Sequence, residues 1–160
     1  MTNLKQNGKI YQKRIIERDE KMVVQNERKE KTCCFYVSEF HLEMILVPYI
    51  NEKINEDITI LTEKKLRETL EILISKMNLN EENKEKILKL GWDGEEKIKE
   101  NSNIIIIGSK EFIKNKNEKL ENKNVLSVLD CYDFEKEKDD MENIVKQYKN
   151  SLNTLGKNTF

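Results

Sequence analysis

Four consecutive isoleucines, Ile104–Ile107, limit the fold of this chain more than any other feature. The run is too short for a buried helix, and as a strand it presents apolar side chains to both faces of a sheet. Strands buried on both faces are typical of parallel sheets with helices packed on each side. Gly108 and Ser109 follow and provide a turn. The run therefore predicts a central parallel strand.

Three further strands are predicted, with helical patterns between them. Compact β-favouring runs lie at Cys33–Val37, Ile58–Thr62 and Val125–Asp130. Apolar residues at helical spacing separate them, and residues 95–101 and 141–152 are predicted to be helical. Strands that alternate with helices favour parallel pairing through right-handed crossovers. We therefore expect an α/β fold, a three-layer sandwich with a mainly parallel sheet of about four to five strands.

The domain organisation follows from the length and from the distribution of charge. A chain of 160 residues suits one domain. Residues 1–31 form a charged basic N-terminal extension with nine Lys/Arg and five Asp/Glu, whereas the whole chain has a net charge of -1. The apolar spacing in this extension fits either one helix or two short strands. We expect a single α/β domain over residues 32–155 and a tail over residues 156–160.

Composition indicates where the protein acts and what it contacts. No apolar run approaches the ~20 residues of a membrane helix, and the N-terminus has no apolar signal core. Three cysteines form no even disulfide framework, which fits a reducing cytosol. We expect a cytoplasmic protein without membrane contact. Nucleic acid is a possible partner only through the basic N-terminal extension.

Ligands of open α/β sheets bind outside the carboxyl ends of the strands. This rule selects candidate ligand-binding residues directly from the predicted strand ends. They mix acids, hydroxyls, a lysine and an imidazole, which suits a small polar ligand. The candidates are Ser38, Glu39 and His41 after the first strand, Thr62 and Glu63 after the second, Gly108, Ser109 and Lys110 after the third, and Asp130 and Tyr132 at the fourth.

Several of these residues have simpler structural explanations. Ser38, Thr62 and Ser109 are predicted to be helix N-caps, since capping alone accounts for a hydroxyl there. A turn such as Gly108-Ser109-Lys110 can hold a phosphate at a helix N-terminus. However, neither G-x-x-x-x-G-K-[ST] nor G-x-G-x-x-G is present. We therefore expect neither a P-loop NTPase nor a standard dinucleotide-binding turn.

The cysteines and the single histidine do not form a recognisable metal or catalytic motif. Cys33 and Cys34 should point to opposite faces of a regular strand, and no C-x-x-C is present. His41 has no evident nucleophile partner. Trp92, in the turn before Gly94, is interpreted as a plug over the core. We expect no metal, no cofactor and no catalytic residue.

The opening of the predicted domain resembles MEDS-type sensory domains. The resemblance lies in Phe35-Tyr36-Val37-Ser38, the following helix with its internal Pro48-Tyr49 pair, and Ile58–Leu61. The chain departs from that pattern at Thr32 or Cys33, where the family usually has His, and before the second strand, where the family has Gly-Glu. The resemblance implies a degenerate RecA/KaiC-like fold, RecA-like or Rossmann-like in class, that lacks the ATPase loop.

Two functions of different classes follow. The first is a non-catalytic cytosolic regulatory or sensory module that recognises a small-molecule ligand or a partner protein. The alternative is a small enzyme that acts on a phosphorylated or nucleotide-like substrate, with Ser109, Lys110 and Asp130 at the strand ends. The lack of a nucleophile–base pair favours the first function.

Overall fold

The structure is a computed structural model that describes residues 30–94 and 97–159. Residues 31–160 form one compact unit. The predictions for the basic extension therefore lie outside the described residues, apart from its last two positions. Glu30 and Lys31 belong to the first strand, so the sheet begins slightly earlier than the predicted start at residue 32.

Helices and strands alternate as the sequence predicts, up to the last segment of the chain. In chain order the elements are β1 (Glu30–Tyr36), α1 (Glu39–Glu52), β2 (Ile58–Thr62), α2 (Arg67–Ser75), α3 (Glu81–Leu88), β3 (Asn103–Ile107), α4 (Lys110–Leu120), β4 (Ser127–Asp133), α5 (Phe134–Glu137), a 3-10 turn (Lys138–Asp140), α6 (Met141–Val145), β5 (Asn150–Asn153) and β6 (Gly156–Thr159).

The six strands form one sheet in the order β2-β3-β4-β1-β5-β6. Strands β2, β3 and β4 are parallel neighbours, with Ile60 opposite Ile105 and Ile105 opposite Leu129. Strand β5 is parallel to β1, with Cys33 opposite Ser151, and β6 is its antiparallel neighbour at the sheet edge. The first strand thus lies between the fourth and the fifth, an arrangement that differs from the 3-2-1-4-5-6 order of the Rossmann fold.

Two apolar cores lie on opposite faces of the sheet and make the fold a three-layer sandwich. Ile105 and Ile107 pack with α1, α2 and α3, whereas Ile104 and Ile106 pack with α4 and α6. All four isoleucines are at most 1% exposed. The prediction of a parallel strand covered on both faces is therefore confirmed.

The C-terminal segment differs from its prediction as a long helix over residues 141–152. Helix α6 ends at Val145, and the chain then forms the hairpin of β5 and β6. Gly156 has a φ of 113°, which favours glycine at this turn. Pairing with β1 satisfies the backbone of β5, so a strand replaces the last helical turns. Residues 156–159 form an edge strand instead of the predicted tail, and the sheet of the described residues has six strands instead of the predicted four to five.

Three smaller boundaries also differ. β4 runs from Ser127 to Asp133, which places Asp130 opposite Ile106 within the sheet and not at the end of the strand. Thr62 is not a helix cap, because α2 begins at Arg67. The predicted helical turns over 95–101 are absent at the described residues 97–99. Trp92 is fully buried and donates from Nε1 to the carbonyl of Ile87 at 2.7 Å, in agreement with the predicted plug.

Candidate functional site

The turn between β1 and α1 begins the carboxyl edge of the sheet. Ser38 is the N-cap of α1, and its Oγ accepts from the backbone N–H of His41 at 3.1 Å. The imidazole Nδ1 of His41 accepts from the backbone N–H of Val37 at 3.0 Å. Because Nδ1 is an acceptor, the neutral ring carries its proton on Nε2. Both side chains hold the turn in place, and the capping prediction for Ser38 is confirmed.

An ion pair connects this turn to the turn that follows β2. The Nζ of Lys64 lies 2.9 Å from the Oε2 of Glu39. Both side chains are about half exposed to solvent, so the pair stabilises the fold only slightly. Thr62 donates from Oγ1 to the carbonyl of Lys64 at 2.8 Å, which closes the turn after β2. These side chains therefore serve local structure.

Glu63 occupies the turn that the sequence suggests for a phosphate. Its Oε1 accepts from the backbone N–H of Ser109 at 2.7 Å, while the Ser109 Oγ caps α4 by accepting from Phe112 N at 3.1 Å. The packing is close, because a Cβ on Gly108 would lie 2.8 Å from Glu63 Oε1 and 2.6 Å from a Phe112 ring carbon. A carboxylate of the protein thus takes the N-terminal position of α4 that an anionic ligand would use.

Lys110, the first residue of α4, is likewise held by carboxylates of the protein. Its Nζ lies 2.8 Å from Asp140 Oδ2, and its backbone N–H donates to Glu137 Oε2 at 3.3 Å. The hydrogen bond to Asp140 raises the pKa of Lys110, and the same bond lowers the pKa of Asp140. These contacts join α4 to the segment that follows β4. They hold the ammonium group against the protein instead of presenting it to a substrate.

Asp130 and Tyr132 lie away from these turns. Asp130 is fully buried on the α4 face of the sheet, where it accepts from the Tyr148 hydroxyl at 2.5 Å and from Asn117 Nδ2 at 3.1 Å. The Tyr132 and Tyr148 hydroxyls are 2.6 Å apart. Burial raises the pKa of Asp130, against the lowering effects of Tyr148, Lys31 and Asn117. The prediction that Asp130 lies at the carboxyl edge is wrong, because β4 continues for three more residues.

The structure therefore divides the predicted site. Eight candidates lie in three turns at the carboxyl edge, and contacts within the protein join these turns and occupy their side chains. The remaining two belong to the buried polar cluster around Asp130. The eight are Ser38, Glu39, His41, Thr62, Glu63, Gly108, Ser109 and Lys110.

The three cysteines are buried and free. Cys34 and Cys131 belong to the core beneath α1, and Cys33 belongs to the opposite core, as the prediction for a regular strand requires. Burial raises the pKa of Cys33 to about 12, so its thiol is a poor nucleophile. Within residues 30–94 and 97–159, no group of three or more His, Cys, Asp or Glu is arranged to hold a metal ion.

An exposed apolar surface, which the strand-end rule does not select, lies on α1 and on the turn before it. Val37, Phe40 and Met44 are 61%, 51% and 42% exposed, and Pro48 continues the same stripe one turn further along. We call these four residues the apolar surface of α1. The rest of the helix is largely buried, with Leu42, Ile45, Leu46, Val47, Tyr49 and Ile50 in the core. The sequence does contain a signal for this surface. Apolar residues occur on all sides of the helix, whereas a helix that buries one face needs them on that face only.

Glu43 borders this surface and was also absent from the candidates. Its side chain is 1% exposed. Its Oε2 accepts from the Thr69 hydroxyl of α2 at 2.5 Å, and its Oε1 has no hydrogen-bond partner among the described residues. Burial raises the pKa of Glu43, the Thr69 bond lowers it, and nearby Glu39 raises it. An unpaired buried carboxyl oxygen is uncommon in native proteins and calls for an explanation.

Comparisons with protein-family models, with curated proteins and with solved structures return no significant match. Among the residues that the structure describes, no helix is both long enough and apolar enough to cross a membrane.

Proposed function

We propose that the chain is a non-catalytic regulatory or sensory module that binds a partner protein through the apolar surface of α1. The observation that carries the proposal is the exposure of Phe40 and Met44 on the side of α1 that the core leaves uncovered, together with Val37 in the turn before the helix. Of the two kinds of ligand that the sequence left open, this surface favours a protein over a small molecule.

The exposed side chains are close enough along the helix to act together. Phe40 and Met44 are four residues apart and therefore neighbours on the helix surface, and Pro48 follows at the same spacing. Single exposed apolar residues are normal in folded proteins, but a contiguous group is typical of an interaction site. Aromatic residues and methionine are also enriched in the cores of protein interfaces. The composition of the stripe therefore supports a protein partner.

The contacts at the carboxyl edge count against the enzymatic alternative. A phosphate at the start of α4 would have to displace the carboxylate of Glu63 from Ser109 and remove Lys110 from Asp140. Asp130, the third residue of that alternative, is fully buried within the sheet and does not lie at its carboxyl edge. Contacts within the fold therefore engage all three residues of that alternative.

A degenerate RecA-like fold of the MEDS type is part of the proposal, and the mainly parallel sheet between two helical layers supports it. In a P-loop protein a glycine-rich loop follows the phosphate-binding strand. Here a two-residue turn, Val37-Ser38, separates β1 from α1. Such a domain keeps the layered scaffold and has no loop to hold a nucleotide phosphate.

Site-specific photo-crosslinking tests the proposal. A photoreactive phenylalanine analogue replaces Phe40 in the full-length chain in its native cells, and a matched variant carries it at Leu155, which is 94% exposed at the tip of the β5–β6 hairpin. We expect one discrete protein adduct from position 40 and none from position 155. Equal labelling at both positions, or none at either, would contradict the proposal.

A separate measurement addresses the enzymatic alternative. The full-length chain is incubated with a panel of phosphorylated metabolites, alongside Lys110→Ala and Asp130→Ala. We expect no turnover by any of the three proteins. Turnover by the wild type that both substitutions abolish would establish the enzyme and overturn the proposal.

A further inference from the structure

Glu43 is a buried carboxyl group beside an exposed apolar surface, and no cation of the described residues forms an ion pair with it. Its Oε2 is engaged by the Thr69 hydroxyl, and its Oε1 is buried without a hydrogen-bond partner among the described residues. Glu39, which is paired with Lys64 at 2.9 Å, adds a second negative charge near Glu43. The free protein therefore contains an acceptor that no described donor satisfies.

The position of Glu43 connects this acceptor to the apolar surface of α1. Phe40 lies three residues earlier and Met44 is the next residue, so Phe40 is its neighbour on the helix surface. Glu43 faces α2, where Thr69 contacts it, along the border of the exposed stripe. A cationic side chain that packs beside Phe40 would therefore lie about one helical turn from the Glu43 carboxyl group.

We propose that the partner of the apolar surface of α1 is an amphipathic segment that carries a lysine or arginine, whose cationic group binds Glu43. This inference rests on the proposed function and specifies its partner. The apolar residues of that segment cover Phe40 and Met44, and its cation supplies both the missing hydrogen bond and the missing charge. A charge-assisted bond in a water-excluded place is stronger than a neutral one, which gives the surface selectivity for basic segments.

Synthetic helical peptides of 18 residues provide the probes. One has an apolar leucine face and a lysine face, the second replaces every lysine by glutamine, and the third by glutamate. Affinities are measured by fluorescence anisotropy at physiological salt, with the full-length wild type, Glu43→Gln and Glu52→Gln. Glu52→Gln is the matched control, because it makes the same change at an exposed acid of the same helix. Backbone NMR shifts of α1 locate the binding.

We expect the lysine peptide to bind the wild type at least tenfold more tightly than the glutamine peptide, with shifts centred on Phe40 and Met44. Glu43→Gln should reduce this preference to threefold or less, and Glu52→Gln should retain it. Glutamine keeps the size of the side chain, and unchanged shifts in the sheet will show that the variant is folded.

Three outcomes would overturn the inference. Equal binding of the lysine and glutamine peptides to the wild type would exclude a charge requirement, and a preference that survives Glu43→Gln would place the cation elsewhere. Both would leave the proposed function standing, provided that Phe40→Ala weakens binding. A concentration-dependent dimer that Phe40→Ala abolishes would make a second copy of the chain the occupant. If no peptide shifts α1 and the photoreactive analogue at position 40 gives no protein adduct, the proposed function itself fails.

Discussion

Removal of the Tyr148 hydroxyl tests the buried polar cluster around Asp130. Tyr148→Phe keeps the ring, which is 7% exposed, and deletes two contacts. The first is the hydrogen bond that Tyr148 donates to Asp130 at 2.5 Å, and the second is its 2.6 Å contact with the Tyr132 hydroxyl. Asn117 remains as a donor to both oxygens of Asp130.

The size of the effect follows from these contacts. A hydrogen bond to an ionised group, such as the one to Asp130, contributes ~1.5–3 kcal/mol to stability. Loss of the neutral bond to the Tyr132 hydroxyl, which leaves that buried group without this partner, adds ~1 kcal/mol. With Asn117 still in place, we expect the free energy of unfolding at pH 7 to fall by about 3 kcal/mol. That is a large share of the ~5–15 kcal/mol that stabilises a typical domain, and it corresponds to a melting temperature lower by roughly 10 °C.

The pH dependence gives a second, independent signature. Burial raises the folded-state pKa of Asp130 above its ordinary value, so the ionised carboxylate is disfavoured in the folded protein. The wild type accordingly loses stability as pH rises from the unfolded pKa through the raised folded pKa. The Tyr148 bond lowers that pKa, so its removal raises the pKa further. The loss caused by Tyr148→Phe should therefore be larger at pH 7 than near pH 4.

Urea unfolding followed by far-UV circular dichroism at both pH values measures these effects. Tyr36→Phe is the matched control, because Tyr36 is similarly buried, at 4% exposure, but belongs to the core on the opposite face of the sheet. We expect the control to cost about 1 kcal/mol or less at either pH. The reasoning fails if both variants lose the same stability, or if the effect of Tyr148→Phe is independent of pH.

Three further predictions concern packing and reactivity. Gly108→Ala should destabilise the domain by about 1–3 kcal/mol, measured by thermal unfolding, because its Cβ would lie 2.6 Å from a Phe112 ring carbon. An unchanged melting temperature would show that Phe112 moves freely. Trp92→Phe should cost about 2–3 kcal/mol in urea unfolding, since it leaves the Ile87 carbonyl without its donor and reduces the buried volume. Cys33 and the other two buried thiols should react with a disulfide reagent at pH 8 only after unfolding in guanidinium, and rapid labelling of the native protein would contradict their burial.

Much of the layered fold could be predicted because the signals lie in short stretches of chain. Residues Ile104–Ile107 show burial on both faces directly, and Ser38 and Ser109 show where helices begin. The hairpin of β5 and β6 could not be predicted in this way. Its sequence, with Tyr148 and Leu152 at helical spacing, fits a helix, and only pairing with β1 makes the strand favourable.

The candidate site was predicted less well, for a related reason. The carboxyl-edge rule correctly selects turns that lie close together, but it does not show that Glu63 and Asp140 already occupy the Ser109 and Lys110 positions. Nor does it show which side of α1 stays uncovered, since Phe40 and Met44 have the same apolar character as the buried residues of that helix.

The amino-acid sequence by itself determined the α/β class, the central buried strand and the absence of a phosphate-binding loop, because each of these depends on a few consecutive side chains. Tertiary structure alone decided the strand order, the placement of Asp130 beside Tyr148, and the exposure of Phe40 near Glu43, whose Oε1 has no hydrogen-bond partner among the described residues. These features depend on which distant segments meet across the sheet and which surfaces they leave open, and no local pattern carries that information.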